Sequence, residues 1–392
     1  MEKKNILPIC SVMFAFFIMG FCDIVGISSD YVQRTFNWSP FMTGFIPSLV
    51  FIWFLFLSIP VGSLMNKWGR KNTVLLSLVI TIIGMFLPLI AYSSFSCVMA
   101  YIFLGIGNAI LQVSLVPLLT NVITNKRLFT SALTGGQVFK AISSLVGPEF
   151  ILFAVAAWGD EKWYYCFPLL GVVSIASALL LHFSSIQKEV SEQSTDSLKS
   201  IAEGAALLGD KKILMLFLGI FFVVGVDVAT NFVSSKIMTD RFAWTADMAK
   251  YAPQVYFFSR TVGAFLGAFM LSRIPEVKYF KANILACMVT LLIWALVNNE
   301  YVNIACIAGV GFFASSIFAI LYSLAMQHRP DKANEISGLM ITAIAGGAVV
   351  TPIIGALTPV IGTTAGIWVT MVCVAYLIYC AFVCSKTTSA AK

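Results

Sequence analysis

Four ionisable residues, Asp23, Lys140, Asp227 and Arg260, lie inside long apolar stretches of this 392-residue chain. A charge at the centre of a bilayer costs at least about 2.5–3.5 kcal/mol on insertion scales, so one that persists there faces a cavity or a partner and has a task. At about 1.5 Å of rise per helical residue, all four fall near the middle of their stretches, some 18–25 Å from the cationic end. Five carboxamides share these apolar surroundings: Asn108, Gln112, Gln137, Asn231 and Gln254. An amide both donates and accepts hydrogen bonds, as the hydroxyls of a polyol require. Aromatic faces such as Trp53, Tyr256 and Phe257 are able to stack on a sugar ring, although packing and hydrogen bonding between helices are rival uses for all of these residues.

The elements that must hold them are membrane helices. Hydrophobic residues make up 59% of the chain and charged residues 11%, with a mean hydropathy of +0.92. A soluble domain carries about a quarter charged residues, so this chain lacks the polar groups to cover itself in water. Windows of about 20 residues, the length that spans hydrocarbon, fall at about 6–28, 42–64, 72–92, 96–123, 130–157 and 164–184. A polar segment follows, and then six more fall at about 213–237, 247–271, 282–298, 301–327, 335–358 and 362–384. The expectation is an all-α membrane protein of twelve transmembrane helices in two six-helix bundles, residues 1–184 and 213–392, joined by a linker at 185–212.

Of the 25 lysines and arginines, 18 fall on the side that holds both termini and the linker. By the positive-inside rule that side is cytoplasmic. The net charge of +7 is thus a matter of topology and not of nucleic acid. The nine cysteines are scattered singly, at no metal-ligand spacing, and read as small buried hydrophobes. His182 and His328 read as interfacial. No phosphate loop or nucleophile elbow is present, so neither enzyme activity nor a cofactor is expected.

Two further patterns sharpen the reading. Gly62-Ser-Leu-Met-Asn66-Lys67-Trp-Gly69-Arg70-Lys71 is a cationic turn between two uncharged runs, which places it at a membrane face. The halves also repeat. Phe16-Phe17-x-x-Gly20 recurs at Phe221-Phe222-x-x-Gly225, Phe36-x-Trp38-Ser39 at Phe242-x-Trp244-Thr245, and Gly105-x-Gly107 at Gly309-x-Gly311. A duplicated six-helix unit implies two bundles about a pseudo-twofold axis, whose natural use is transport by rocking one against the other.

The Gly62–Lys71 turn resembles the loop motif G-x-L-x-D-R-x-G-R-R/K of the major facilitator superfamily and sits where that motif sits, between the second and third spans. Asn66 replaces the motif's acid, which implies a cytoplasmic gate formed by Gly62, Asn66, Gly69, Arg70 and Lys71 that is held more weakly. Gly105-x-Gly107-x-x-x-x-Gln112-x-x-x-x-Pro117 and Gln137-x-Phe139-Lys140, followed by Gly147-Pro148, are similar to the fucose/galactose/glucose–proton symporter group, with Val116 and Lys140 in place of that group's asparagines. Gly26 takes the place of the group's acid in the first span, and Asp23 is the nearest carboxylate.

The resemblance implies alternating-access import of a sugar or sugar-like solute, with protons, by a monomer in a bacterial inner membrane. Superfamily architecture further implies one acid–base pair per half, Asp23 with Lys140 and Asp227 with Arg260. Trp53, Asn108, Gln112, Gln137, Lys140, Asn231 and Gln254 are the candidate substrate contacts. Two alternatives stay open. Lys140 and Arg260 suit an acidic sugar or another organic anion. Efflux of drugs or other solutes is disfavoured by the missing glycine pair after Gly147-Pro148.

Overall fold

In hydrocarbon a backbone has no hydrogen-bond partner but itself, and the helix is the local solution. The structure, a computed structural model, describes residues 6–38, 45–123, 125–187, 202, 204–249 and 251–390. Ser39, Lys250 and most of the linker lie outside the described residues.

The helices, in order, are α1 (Ile6–Met19), α2 (Val25–Phe36), α3 (Phe45–Phe51), α4 (Trp53–Trp68), α5 (Arg70–Ile90), α6 (Ser94–Val122), α7 (Lys126–Trp158) and α8 (Cys166–Phe183). They continue with α9 (Lys211–Phe242), α10 (Ala246–Ala249), α11 (Tyr251–Leu271), α12 (Glu276–Leu296), α13 (Glu300–Ala314), α14 (Ile317–His328), α15 (Ala333–Thr342), α16 (Gly346–Ile361) and α17 (Ala365–Ala390). Among the described residues, ten helices or helical runs are long and apolar enough to cross a membrane. The window at 335–358 is interrupted by the 3-10 turn Ala343–Ala345. There Gly346 lies so close to the Phe221 carbonyl that a Cβ would collide with it, and the pair Gly346-Gly347 that follows the turn has little helix propensity to resist a break.

The chain forms two units. The first comprises Met1–Thr124, Gly136–Ala206 and Asp331–Thr342; the second comprises Asn125–Gly135, Leu207–Pro330 and Ala343–Lys392. Each unit therefore includes a short segment from the other half of the sequence. In the first unit α6 is the central helix, packed against α1, α3, α4, α5 and α15. In the second α9 has that place, against α11, α13, α14, α16 and α17.

Gly105 and Gly107 show why α6 sits so deep. A Cβ on Gly105 would lie 2.5 Å from the Val50 carbonyl and 2.8 Å from the Trp53 ring, and one on Gly107 would strike Thr81 of α5. Gly105→Ala is expected to cost about 1–3 kcal/mol through overpacking, read as a lower unfolding midpoint in detergent. Gly135→Ala, where a Cβ meets nothing within 4 Å, is the control and should leave the midpoint unchanged or raise it.

The start of α9 is fixed by Asp210, whose carboxylate accepts from the Lys212 and Ile213 amides at 2.8 and 3.3 Å and lies 3.0 Å from His328 Nε2. Burial pushes this carboxyl up, but the His328 contact and the two amides outweigh it and hold it below its ordinary value of 3.8. A depressed carboxyl adds stability above its unfolded value and loses it as pH falls through the folded one. Asp210→Asn is therefore expected to flatten the fall in unfolding midpoint below about pH 3.8, measured by a thermal series from pH 6 to pH 3.

Candidate functional site

In the first unit the break in the first helical run positions the acid. Between α1 and α2 the residues Gly20–Ile24 wind as a 3-10 turn, with Asp23 inside it. Gly20 permits a close approach here, because a Cβ would run into the Lys140 carbonyl and lie 2.7 Å from Ser143 Cβ. Ser144 Oγ donates to Asp23 Oδ2 at 2.5 Å, and Cys22 Sγ, whose thiol also has the Met19 carbonyl at 3.3 Å, lies 3.4 Å from Asp23 Oδ1. No ion pair joins Asp23 to Lys140. The tighter 3-10 winding, three residues per turn in place of 3.6, rotates Asp23 relative to an α-helical path. The hydroxyl that reaches it belongs to Ser144, one turn beyond Lys140. Asp23 is exposed and Lys140 half-buried.

Asn108 and Gln112 stand one turn apart on α6, on the same face. They are 3% and 5% exposed, and neither the nitrogen nor the oxygen of the Asn108 amide has a hydrogen-bond partner among the described residues. A buried polar group left unmade costs about 1–3 kcal/mol, which sets Asn108 apart on this face. Gln137 is half-buried on α7, beside Gly136, which packs on the ring of Phe16. Trp53 uses its indole N–H within its own helical run, on the Leu49 carbonyl at 2.8 Å, and keeps only its ring for other contacts.

The second unit holds the other acid differently. Arg260 Nη2 is 2.8 Å from Asp227 Oδ2, and the hydroxyl of fully buried Tyr256 donates to Asp227 Oδ1. Tyr256 and Arg260 are four residues apart on α11, so one helix face presents both donors. Asn231 follows Asp227 by one turn on α9 and is half-buried. Gln254 is not gathered into this cluster. It stands on another face of α11 and lines an open groove with Tyr251, Phe258 and Ala308.

The cationic turn is built inside the first unit. Gly69 joins α4 to α5 with φ 86°, a conformation that glycine adopts without strain. Arg70 donates to Asn334 Oδ1 at 2.8 Å, to Asn121 Oδ1 at 2.6 Å and to Thr120 Oγ1 at 2.9 Å. Asn66 donates to Glu335 Oε1 at 2.5 Å and accepts from the Asn334 amide at 2.6 Å. Gly62 leaves the room this needs, since a Cβ would lie 2.8 Å from the Asn334 carbonyl. Lys71 caps the end of α8 by donating to the carbonyls of His182 and Ser184 at 2.9 and 2.8 Å.

The sequence profile of the Major Facilitator Superfamily matches residues 9–352. The chain belongs to this superfamily. It is an integral membrane protein and a transporter, not an enzyme. Among superfamily proteins it is similar to the glucose/galactose transporter of Brucella abortus, at 25% identity over 398 residues, covering 98% of this chain and 96% of that one. Its fold is shared with the fucose–proton symporter FucP of E. coli, with TM-score 0.82 and 18% identity over 97% of this chain and 98% of that one. The proton–xylose symporter XylE gives TM-score 0.77 at 12% identity, over 96% and 95% of the two chains.

Superfamily motifs pointed to the turn but not to its partners. Asn334 and Glu335 contact it from more than 260 residues away, at the start of a predicted span where polar residues look like interface. Ser144 was equally hidden, since a serine in a helix is ordinary. In the sequence Tyr256 offers a stacking ring, whereas in the structure it is the hydroxyl that is engaged, on Asp227.

Proposed function

We propose that this superfamily member imports a sugar such as glucose or galactose across a bacterial inner membrane by alternating access, in symport with protons. The observation that carries the reading is the state of Asp23. Its carboxylate accepts from the neutral hydroxyl of Ser144 and pairs with no cation among the described residues, and the Asn108 amide has no hydrogen-bond partner among them either. A coupling acid must gain and lose a proton within each cycle, and an acid without a salt bridge can do so without breaking an ion pair. Asp227, clamped by Arg260 and Tyr256, is the structural acid of the other unit.

On this reading Asn108, Gln112 and Gln137 bind sugar hydroxyls, Trp53 and Asn231 line the path, and Gln254 has a lesser part. The topology that goes with it has twelve spans, bundles at 1–184 and 213–392, a linker at 185–212, both termini cytoplasmic, and a working monomer. Relatives named for glucose and galactose transport support the substrate class, and the folds shared with fucose and xylose symporters support the coupling.

One observation favours a second reading. Lys140 makes no ion pair among the described residues, and a carboxylated sugar would supply one. Uptake of labelled glucose, galactose and glucuronate into proteoliposomes, with and without an inward proton gradient, decides between them. Gradient-driven accumulation of the neutral sugars is the expected result. Accumulation of glucuronate alone rejects the neutral-sugar reading, and flux that ignores the gradient rejects symport.

A further inference from the structure

The two repeats end their first helical run in the same way. Asn37 and Ala243 both adopt the left-handed conformation at φ 52°, and the following tryptophan turns its amide back onto the helix: Trp38 to the Gln33 carbonyl at 3.1 Å, Trp244 to the Met238 carbonyl at 3.4 Å. What the side chains do there differs.

In the second unit the donors are satisfied internally. Trp244 Nε1 donates to Glu300 Oε1 at 2.6 Å, and Arg241 Nη1 donates to the Trp294 carbonyl at 3.0 Å and to Asn303 Oδ1 at 3.1 Å. In the first unit, at the repeat offset, Ser94 stands where Glu300 would be and Cys97 where Asn303 would be. The acceptors are missing. The arginine also sits one residue earlier, at Arg34, about 100° further round the helix. Thr35 occupies the position of Arg241 and accepts from Trp163 Nε1 at 3.2 Å.

The result is an open cavity of about 560 Å³ lined by Gln33, Arg34, Asn37 and Trp38. Each lining side chain carries an N–H donor: a guanidinium, two carboxamides and an indole. None of the four makes a side-chain hydrogen bond or ion pair among the described residues. The base of the site is fixed, because the Arg34 guanidinium lies 5.9 Å over the Tyr31 ring, and Tyr31 stacks at 5.5 Å on fully buried Trp163. A cation in the last turn of a helix also suits the helix dipole, and both repeats have one. The dipole does not account for the three further donors, which have no acceptor among the described residues.

We propose that the C-terminal end of α2 is an oxyanion-binding subsite, separate from Asp23 and Asn108, that holds a carboxylate or phosphate through Arg34, Gln33, Asn37 and Trp38. A guanidinium that is exposed, without an ion pair among the described residues and surrounded by donors suits an acceptor-rich, negatively charged group, and its planar fork matches carboxylate and phosphate oxygens. Two sources carry that chemistry: the carboxylate of an acidic sugar in solution, and the phosphate of a lipid headgroup at the membrane face.

The test uses full-length protein in a sugar-free neutral detergent, titrated separately with sodium glucuronate and with phosphatidylglycerol. The readouts are the unfolding midpoint and tryptophan fluorescence. Wild-type protein is expected to bind at least one of the two, and Arg34→Gln to weaken that binding by about ten- to a hundredfold, the loss of a charged hydrogen-bonding partner. Trp38→Phe, which removes one donor and keeps the ring, should weaken it less. A response to glucuronate alone identifies a solute subsite, and a response to phosphatidylglycerol alone identifies a headgroup site. The proposal is overturned if wild type binds neither, or if the Arg34→Gln curves superimpose on those of wild type. Glucose counterflow, measured in parallel, is expected to be equal in wild type and Arg34→Gln. Its absence from wild type would count against sugar transport and leave the oxyanion subsite standing.

Discussion

Asp23→Asn is expected to abolish accumulation of sugar against its gradient while sparing exchange of labelled for unlabelled sugar. Asparagine keeps the shape of the side chain and still accepts from Ser144, so the 3-10 turn Gly20–Ile24 has no reason to rearrange. What it loses is the ability to carry a proton. Coupling between two ligands is reciprocal, so a site that no longer binds protons cannot draw on their gradient, and the accumulation ratio falls to about one. Counterflow needs only binding and alternation, and both remain. The measurement is uptake into proteoliposomes with an inward proton gradient, followed by counterflow without one. Unchanged accumulation in the variant removes Asp23 from the coupling step. The parallel change in the other unit, Asp227→Asn, should instead lower thermal stability. It leaves Arg260 beside a neutral amide, and removing one partner of a pair costs more than the pair contributes.

The second large effect is expected at Asn66, where restoring the residue of the superfamily motif should do harm. In the motif this position carries an aspartate. In this chain Asn66 donates to Glu335 Oε1 at 2.5 Å, so the carboxylate of the cluster comes from α15 and the amide from α4. Asn66→Asp removes that donor and sets two carboxylates against each other. At about 4 Å and an effective dielectric constant near 20, like charges repel by about 4 kcal/mol before relaxation or proton uptake reduces it. A fall in unfolding midpoint is expected at pH 7. Combining the change with Glu335→Gln should restore the midpoint, because the amide and the acid have then traded places. If the single variant is as stable as wild type and the second change adds nothing, the cluster is not held by this contact. In the structure the position that carries an acid in the motif holds an amide, and the carboxylate of the cluster is supplied by Glu335.

These two sites show how far the sequence could be read. Length and polarity are properties of a stretch, so the apolar windows, the cationic turn and the four charges within them were visible without coordinates. Asp227 and Arg260 stand out because charge is rare in such surroundings, and the structure brings them together. The neighbours of Asp23 did not stand out, because serine and cysteine are common in membrane helices and only the rotation introduced by the 3-10 turn selects them. The Asn334 and Glu335 contacts were invisible for another reason. A pairing across 264 to 269 residues leaves no periodicity to detect. The left-handed caps at Asn37 and Ala243 lie between. The repeat marked their neighbourhood, but the loss of acceptors in one copy emerged only once the side chains of Trp244 and Arg241 could be followed to their partners.

The composition of the first unit sets a schedule for its birth. Its last segment, Asp331–Thr342, is separated from Ala206, the end of its preceding segment, by the body of the second unit. At a synthesis rate of about 5–20 residues per second, α15 leaves the ribosome roughly 6–25 seconds after the rest of the first unit is complete. Throughout that interval Asn66 lacks Glu335 and Asn334, Arg70 lacks Asn334, and the Val113 carbonyl lacks its Ser337 donor. The nascent first half therefore waits in the membrane with an open polar seam on α4 and α6, which only the far end of the chain can close.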